Sequence, residues 1–223
     1  MNNEILLFFN LIFVYALLLF CYHFFKKEGV FCFLVLASVL ANIEVAVQID
    51  AFGLHQTLGN TLFAATFLAT DILSEFYDKK TANKAVHLSI IGCLMLIVVS
   101  KFWLFFEPNV SDFVLPHLQI IAERSDRIVL SGLLVFILVQ KLDIFLYHKI
   151  WNLTGNFSHR FLWLRNNAAT IISQGVNALL FNFLAFYGVF PFENLLEIIV
   201  STFIIFVVTS LADTPFIYFA KRL

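Results

Sequence analysis

Residues 4–25 read EILLFFNLIFVYALLLFCYHFF, an almost unbroken apolar run that ends at the basic pair Lys26 and Lys27. A helix needs about 20 mostly apolar residues to cross the hydrocarbon of a bilayer. The run therefore predicts a membrane-spanning helix. It is too long for a signal peptide and lacks a basic leader and a small-x-small cleavage site, so we interpret it as a retained span.

Similar apolar runs recur along all 223 residues, of which 61% are hydrophobic and 13% are charged. That charged share is about half that of an ordinary soluble domain. The runs predict seven spans, near residues 4–25, 30–49, 57–77, 84–106, 127–148, 167–189 and 194–219. We therefore expect an all-α fold, a polytopic membrane helix bundle that forms a single integral membrane domain over residues 1–223.

Lysine and arginine residues occur in alternate loops between the predicted spans. They follow spans one, three, five and seven: Lys26, Lys27, Lys79, Lys80, Lys84, Lys149, Arg160, Arg165, Lys221 and Arg222. The loops 50–56 and 190–193 contain none, and the segment 107–126, which is too polar to span, contains only Arg124. Because cytoplasmic loops carry the excess of basic residues, the pattern predicts an outside N-terminus and a cytosolic C-terminus.

Ionisable side chains recur inside three of the predicted spans: Asp71 and Glu75, Lys141 and Asp143, and Asp213. Counted at about 1.5 Å per residue from the next lysine, the three aspartates lie about 9–12 Å inside the inner boundary. A charge in hydrocarbon costs at least a few kcal/mol, so we expect these carboxylates to face a polar cavity. Lys141 is either a neutralising partner of Asp143 or a side chain that snorkels to the interface.

Carboxamides add a second polar pattern. Asn167, Thr170, Gln174 and Asn177 follow helical spacing, which places them on one face of the sixth span. Asn42 falls near mid-bilayer in the second span. Each amide alone is explained by a hydrogen bond between helices. Together with the carboxylates, they favour the polar cavity that a transporter needs.

The sequence contains no catalytic or metal-binding motif. It has no G-x-S-x-G, no H-E-x-x-H and no Gly-rich phosphate loop, and its cysteines and histidines lack zinc spacing. We therefore predict no enzyme activity, no cofactor and no metal site. A net charge of −1 without a basic surface argues against a nucleic-acid partner.

Four groups of motifs give the chain a family resemblance. They are Leu40–Ile43 with Phe52–Leu54 and Leu58–Asn60; Phe67–Glu75 with Tyr77, Lys79, Lys80 and Lys84–Val86; Phe161–Asn167 with Thr170, Ser173 and Gln174; and Asp213–Tyr218. On these motifs, from about residue 37 onward, the chain resembles the queuosine-precursor transporter family of the bacterial inner membrane, once grouped as vitamin uptake transporters. The resemblance implies a six-helix core over about 30–220, preceded by an extra N-terminal span at about 4–25.

The resemblance also implies the uptake of a small molecule, a 7-deazaguanine such as preQ0, preQ1 or queuine, for tRNA modification. A carboxylate can accept two adjacent N–H groups of such a base, amides can donate to its carbonyl oxygen, and Phe67 can stack on its ring. The predicted substrate-binding residues are Asn42, Asn60, Phe67, Asp71, Glu75, Asn167, Gln174, Asn177 and Asp213, and the ion-coupling candidates are Asp143 and Asp71. This chain has Asn177 where the family is expected to carry an aspartate, a change that would alter substrate preference or ion coupling.

Other functions remain open from the sequence. A substrate-capture subunit of an energised vitamin-uptake complex would need a partner ATPase, for which Ala37 and Ala41 offer a docking face. An intramembrane enzyme would use Asp71 and Asp213 as a pair, although the Gly-x-Gly-Asp motif of aspartyl intramembrane proteases is absent. A purely structural membrane protein would not need so many buried carboxylates. The sequence allows a homo-oligomer in the lipid bilayer.

Overall fold

A computed structural model describes residues 2–124, 126–154, 161–189 and 191–223. Arg160, one of the basic residues used to predict the orientation, lies outside this described part. The elements in chain order are α1 (Asn3–Glu44), β1 (Gln48–Ala51), β2 (Leu54–Thr57), α2 (Gly59–Phe76), α3 (Lys79–Trp103), α4 (Leu115–Arg124), α5 (Asp126–Thr154), α6 (Leu162–Phe186) and α7 (Phe192–Ala220). The prediction of a helical bundle is thus confirmed.

Five of these helices (α1, α3, α5, α6 and α7) are long and apolar enough to cross a membrane. Large apolar side chains cover the outside of the bundle, among them Phe8, Phe13, Phe24, Met95, Phe102, Leu134 and Val208. A soluble protein rarely exposes so large an apolar surface, whereas lipid would cover it. The structure therefore supports a multi-pass membrane protein.

α1 consists of two antiparallel arms joined by a sharp reversal at Lys26, whose φ of 51° and ψ of −133° lie outside the helical range. The side-chain amide of Asn3, at the start of the first arm, donates to the backbone oxygen of Asp50, beyond the end of the second arm, at 2.8 Å. Gly29 permits the reversal, since a Cβ there would lie 2.1 Å from the Cys21 carbonyl oxygen. The arms correspond to the first two predicted spans.

A two-stranded antiparallel hairpin follows α1, where the sequence predicted the end of a span and a loop. Gln48 pairs with Thr57, and the turn residues Phe52 and Gly53 have φ of 56° and 70°. Two consecutive positive φ values are typical of a tight hairpin turn, but phenylalanine seldom adopts one, so the local signal was weak. The span predicted to end near residue 49 therefore ends at Glu44.

α3 begins at Lys79, earlier than the predicted residue 84, because Asp78 caps its N-terminus. The Asp78 carboxylate accepts a hydrogen bond from the Thr81 backbone N–H at 2.6 Å, which lowers the pKa of this exposed group. The polar segment 107–126 includes the short helix α4. The backbone oxygen of Ala122 in α4 accepts a hydrogen bond from the Lys101 ammonium at 3.0 Å, which ties α4 to the end of α3.

α2 is the central helix of the bundle. It packs against α1, α3, α5, α6 and α7, and every residue from Ala64 to Glu75 is buried. α2 carries Asn60, Asp71 and Glu75, and it is not among the five helices apolar enough to be recognised as spans by composition. A helix with two ionisable residues is thus the one that its neighbours surround, as expected for such residues in a membrane protein.

Candidate functional site

A cavity of about 510 Å³ lies beside the β-hairpin, within the range of small-molecule sites. Seven carboxamide side chains line it: Asn42, Gln48, Gln56, Asn60, Asn177, Asn182 and Asn194. Five phenylalanines add aromatic surface: Phe63, Phe136, Phe181, Phe186 and Phe206. Among the described residues, its lining includes the carboxylates of Asp50 and Glu197 and no lysine, arginine or histidine. The cavity therefore suits a planar, polar ligand that is neutral or positively charged.

Packed phenylalanines lie at the inner end of this amide-lined cavity. The ring centroid of Phe63 lies 5.4 Å from that of Phe67, 6.2 Å from that of Phe136 and 6.0 Å from that of Phe206. Three of these four rings line the cavity, whereas Phe67 is fully buried one helical turn deeper along α2. We call these four residues the aromatic layer.

Three aspartates meet one further turn of α2 beyond the aromatic layer. Asp71, Asp143 and Asp213 come from α2, α5 and α7 and are at most 1% exposed. Asp71 accepts a hydrogen bond from the Thr170 hydroxyl at 3.2 Å, and Asp213 accepts one from the Asn166 amide. The Asp143 carboxyl lies beside that of Asp71. We call the three aspartates the carboxylate cluster.

Hydrogen bonding around the carboxylate cluster is incomplete. Among the described residues, the buried atoms without a partner include Asp71 Oδ1, Ser74 Oγ, both carboxyl oxygens of Asp143, Asn166 Oδ1, Ser173 Oγ, both amide atoms of Gln174 and Asp213 Oδ2. Buried polar groups in proteins are nearly always hydrogen-bonded, and each exception needs an explanation. Such a concentration in one region is typical of a functional polar centre rather than of helix packing.

Glu75 belongs to a different interaction. Both of its carboxylate oxygens accept hydrogen bonds from Arg165, at 2.8 and 3.0 Å, and the Tyr147 hydroxyl donates to the same group at 2.7 Å. The Arg165 guanidinium lies 4.3 Å from the centre of the Trp151 ring. The sequence predicts Arg165 to be a loop charge, but the residue is only 1% exposed, so it is a buried countercharge.

Lys141 does not neutralise Asp143. Its side chain is exposed, whereas Asp143 is fully buried two positions along the same helix. Of the two interpretations given for Lys141, the structure favours a side chain that reaches the interface.

The structure separates the predicted substrate-binding residues into groups. Asn42, Asn60 and Asn177 line the amide-lined cavity. Phe67 belongs to the aromatic layer. Asp71 and Asp213 belong to the carboxylate cluster, and Gln174 is among the polar residues without hydrogen-bond partners. Glu75 forms the ion pair with Arg165. Asn167 donates to the Thr214 hydroxyl at 2.7 Å and to the Trp163 carbonyl oxygen at 2.8 Å.

Several polar residues of the site were missed from the sequence. Gln140 is fully buried: it donates to the Thr66 hydroxyl at 2.7 Å and accepts from the Thr70 hydroxyl at 3.2 Å, so it ties α5 to α2. The cavity residues Gln48 and Gln56 lie on the unpredicted hairpin. Gln140 did carry a signal, because it is an amide inside an apolar run at the depth of the aromatic layer.

The docking face suggested for a partner ATPase is not exposed. Ala37 and Ala41 are 3% and 6% exposed, because they pack inside the bundle. Groups of three or more histidine, cysteine, aspartate or glutamate side chains arranged to hold a metal are also absent from the described residues.

Comparisons with known proteins agree with this architecture. A family model described as "Putative vitamin uptake transporter" matches residues 57–220. A protein of Bacillus subtilis (strain 168) named "Probable queuosine precursor transporter" is 38% identical over 222 residues, which cover 100% of this chain and 96% of that protein. No solved structure matches the chain. The resemblance drawn from the motifs is therefore confirmed: the chain belongs to this transporter family, and it is a multi-pass membrane transporter rather than an enzyme.

Proposed function

We propose that the chain takes up 7-deazaguanine precursors of queuosine, such as preQ0, preQ1 or queuine, across the bacterial inner membrane. The observation that carries this proposal is the cavity with seven carboxamides and an aromatic inner end. The extended similarity to a protein named for queuosine precursors supports the same substrate class.

The chemistry of the cavity fits such a base. A 7-deazaguanine presents N–H donors and a carbonyl acceptor along its edges, and each carboxamide offers both a donor pair and an acceptor. The phenylalanine rings offer apolar faces to a planar heterocycle. Glu197 would favour the aminomethyl group of preQ1, which carries a positive charge at neutral pH.

We further propose seven spans with the N-terminus outside and the C-terminus in the cytosol. The spans would be the two arms of α1 followed by α2, α3, α5, α6 and α7. The Lys26 ammonium donates to the backbone oxygen of Leu223 at 3.0 Å, so the reversal of α1 and the C-terminus share one face. Both are rich in basic residues, as expected of the cytosolic side. The amide-lined cavity then faces outward.

In this arrangement Asn42, Asn60 and Asn177 contact the substrate first. The aromatic layer then separates the substrate from Asp71, Gln174 and Asp213, which would contact it when the helices rearrange. We assign Glu75 and Asn167 to holding the helices together, since both already have partners. Movement of one helix group against another around a central site is the usual form of alternating access.

The test is the queuosine content of tRNA in a bacterial strain that lacks both precursor synthesis and its own transporter. The strain would express the wild type, Asn177→Leu or the exposed-loop control Glu107→Gln, and would receive preQ0, preQ1 or queuine separately at low concentration. We expect the wild type and the control to restore queuosine with at least one compound. Asn177→Leu should need a roughly tenfold higher concentration, equivalent to about 1.4 kcal/mol of lost binding.

Failure of the correctly inserted wild type to restore queuosine with every compound would overturn the proposed substrate class. Equal restoration by the wild type and Asn177→Leu at every concentration would remove Asn177 from the binding site.

A further inference from the structure

We propose that Asp71 and Asp143 share one exchangeable proton and that this pair couples transport to a proton gradient. The coupling rests on the proposed uptake function, whereas the shared proton rests on the burial and placement of the two side chains.

The two carboxyl groups are neighbours in a fully buried region. Asp71 and Asp143 are both 0% exposed. Hydrogen bonds between α2 and α5 bracket them, from Thr70 to Gln140 at 3.2 Å and from Tyr147 to Glu75 at 2.7 Å, so the two carboxyl groups lie at the same level of the bundle and interact. Two neighbouring carboxylates do not both stay ionised in a low-dielectric site, because one hydroxyl hydrogen bond, from Thr170 to Asp71, offsets little of their repulsion and desolvation. At least one proton must therefore reside on the pair in this conformation.

The charged and titratable groups that face the pair do not remove this requirement. Asp213 on α7 adds a third carboxyl group. On α1, Tyr15 is fully buried nearby, but its hydroxyl donates to the Thr209 carbonyl oxygen at 3.1 Å. On α3, Lys84 is exposed. None of these three elements brings a positive charge to the pair.

The buried positive charge on α6 is already balanced. Arg165 is the one buried lysine or arginine among residues whose burial is described, and it contacts both oxygens of Glu75. On α5, the Tyr147 hydroxyl donates to the same glutamate, and Lys141 is exposed. The described pair of Glu75 and Arg165 carries no net charge, so Arg165 does not neutralise the aspartates.

Buried polar groups beside the pair indicate a site that can bind and release a proton. Ser173 is 0% exposed, and its hydroxyl lies within reach of the Asp143 carboxyl. Gln174, the next residue, is 1% exposed with both amide atoms unpartnered. A hydroxyl can donate to a carboxylate or accept from a carboxylic acid, so Ser173 can serve both protonation states.

A proton suits the site better than a sodium ion does. A sodium ion needs several oxygen ligands arranged around it, and the described residues include no group of three or more histidine, cysteine, aspartate or glutamate side chains arranged to hold a metal. A proton needs only one carboxyl oxygen. In the coupled step, the O–H bond of the shared carboxylic acid breaks when the site opens inward, the proton passes to cytosolic water, and a carboxylate remains. Reprotonation from the outside restores the buried pair.

The experiment uses the full chain in proteoliposomes with labelled preQ1. Two quantities are measured: exchange of substrate without any gradient, and accumulation driven by an acidic outside medium. For the wild type and the exposed control Lys141→Gln, we expect about tenfold accumulation that a protonophore abolishes. Asp143→Asn should keep exchange and lose the gradient-driven accumulation. Accumulation that follows a sodium gradient, or ignores both gradients, would overturn proton coupling.

A second measurement needs no substrate, and its first step uses only the wild type. At about pH 7, exposed carboxyl groups are ionised, so the infrared C=O stretch of a carboxylic acid in the wild type reports a buried proton. We expect this band, and its reduction in Asp71→Asn and Asp143→Asn. A wild type without the band would overturn the shared proton. If the band is present but no 7-deazaguanine exchanges, the proposed substrate class fails and the proton site stands.

Discussion

The Arg165 guanidinium lies 2.8 Å from Oε1 of Glu75, and the two side chains are 1% and 0% exposed. This ion pair joins α6 to α2, and Tyr147 adds α5 through its hydrogen bond to the same carboxylate. Three helices thus meet at one charged contact on the far side of the carboxylate cluster from the amide-lined cavity.

Breaking this ion pair should strongly destabilise the protein. Arg165→Met leaves the Glu75 charge buried without its partner, which typically costs about 3–5 kcal/mol. The double variant Arg165→Met, Glu75→Leu removes both charges and should recover most of that loss. Thermal unfolding of the purified variants in detergent measures both effects. A single variant as stable as the wild type would show that the pair does not hold the helices together.

The reversal of α1 should depend on Gly29 far more than the hairpin turn depends on Gly53. Gly29→Ala would place a Cβ 2.1 Å from the Cys21 carbonyl oxygen, so the two arms would have to separate. Gly53→Ala meets nothing within 4 Å and incurs only the strain of a positive φ, about 1–2 kcal/mol. We expect Gly29→Ala to accumulate poorly in membranes and Gly53→Ala to accumulate nearly as well as the wild type. Equal accumulation would contradict the tight reversal.

The aromatic layer should keep externally added reagents away from the carboxylate cluster. In a background without native cysteines, Ser74→Cys would report on access, because Ser74 is 2% exposed and lies one turn below Asp71. A water-soluble thiol reagent added outside should label it slowly. Adding Phe63→Ala removes the ring that contacts Phe67, Phe136 and Phe206, and should raise the labelling rate about tenfold or more. Unchanged labelling would show that another element closes the path.

Gln140 should contribute modestly to stability. Gln140→Leu removes two hydrogen bonds to α2, and hydrogen bonds between membrane helices are worth about 0.6 kcal/mol each on average. It also leaves the hydroxyls of Thr66 and Thr70 with local carbonyl partners. We therefore expect a loss near 1 kcal/mol in detergent unfolding. A loss as large as that of Arg165→Met would mean that Gln140 also supports the surrounding packing.

Asn60 should affect transport rather than folding. Asn60→Leu removes one amide from the cavity lining, where it accepts a weak hydrogen bond from Thr57 at 3.3 Å. We expect KM for uptake to rise about tenfold with an unchanged Tm. Asn152→Ala, at an exposed position on α5, is the matched control and should leave both values unchanged. A drop in Tm without a change in KM would assign Asn60 to the fold.

Apolar runs alone predicted the helical membrane bundle, because lipid demands long apolar helices with internally satisfied backbones. Counting residues along the helices also placed Asp71, Asp143 and Asp213 at similar depth. The rotation of each helix about its axis and its choice of neighbours depend on contacts distant in sequence. For that reason the burial of Arg165 against Glu75 and the cavity beside the hairpin required the structure.

The amide-lined cavity and the carboxylate cluster are separated by a full turn of α2 and by the aromatic layer. Substitutions that reshape the cavity therefore leave the buried charges untouched. A few substitutions among the carboxamides of the cavity can therefore change the transported ligand, while the carboxylate cluster stays the same. Relatives with dissimilar ligands would then diverge first around the hairpin and last around Asp71.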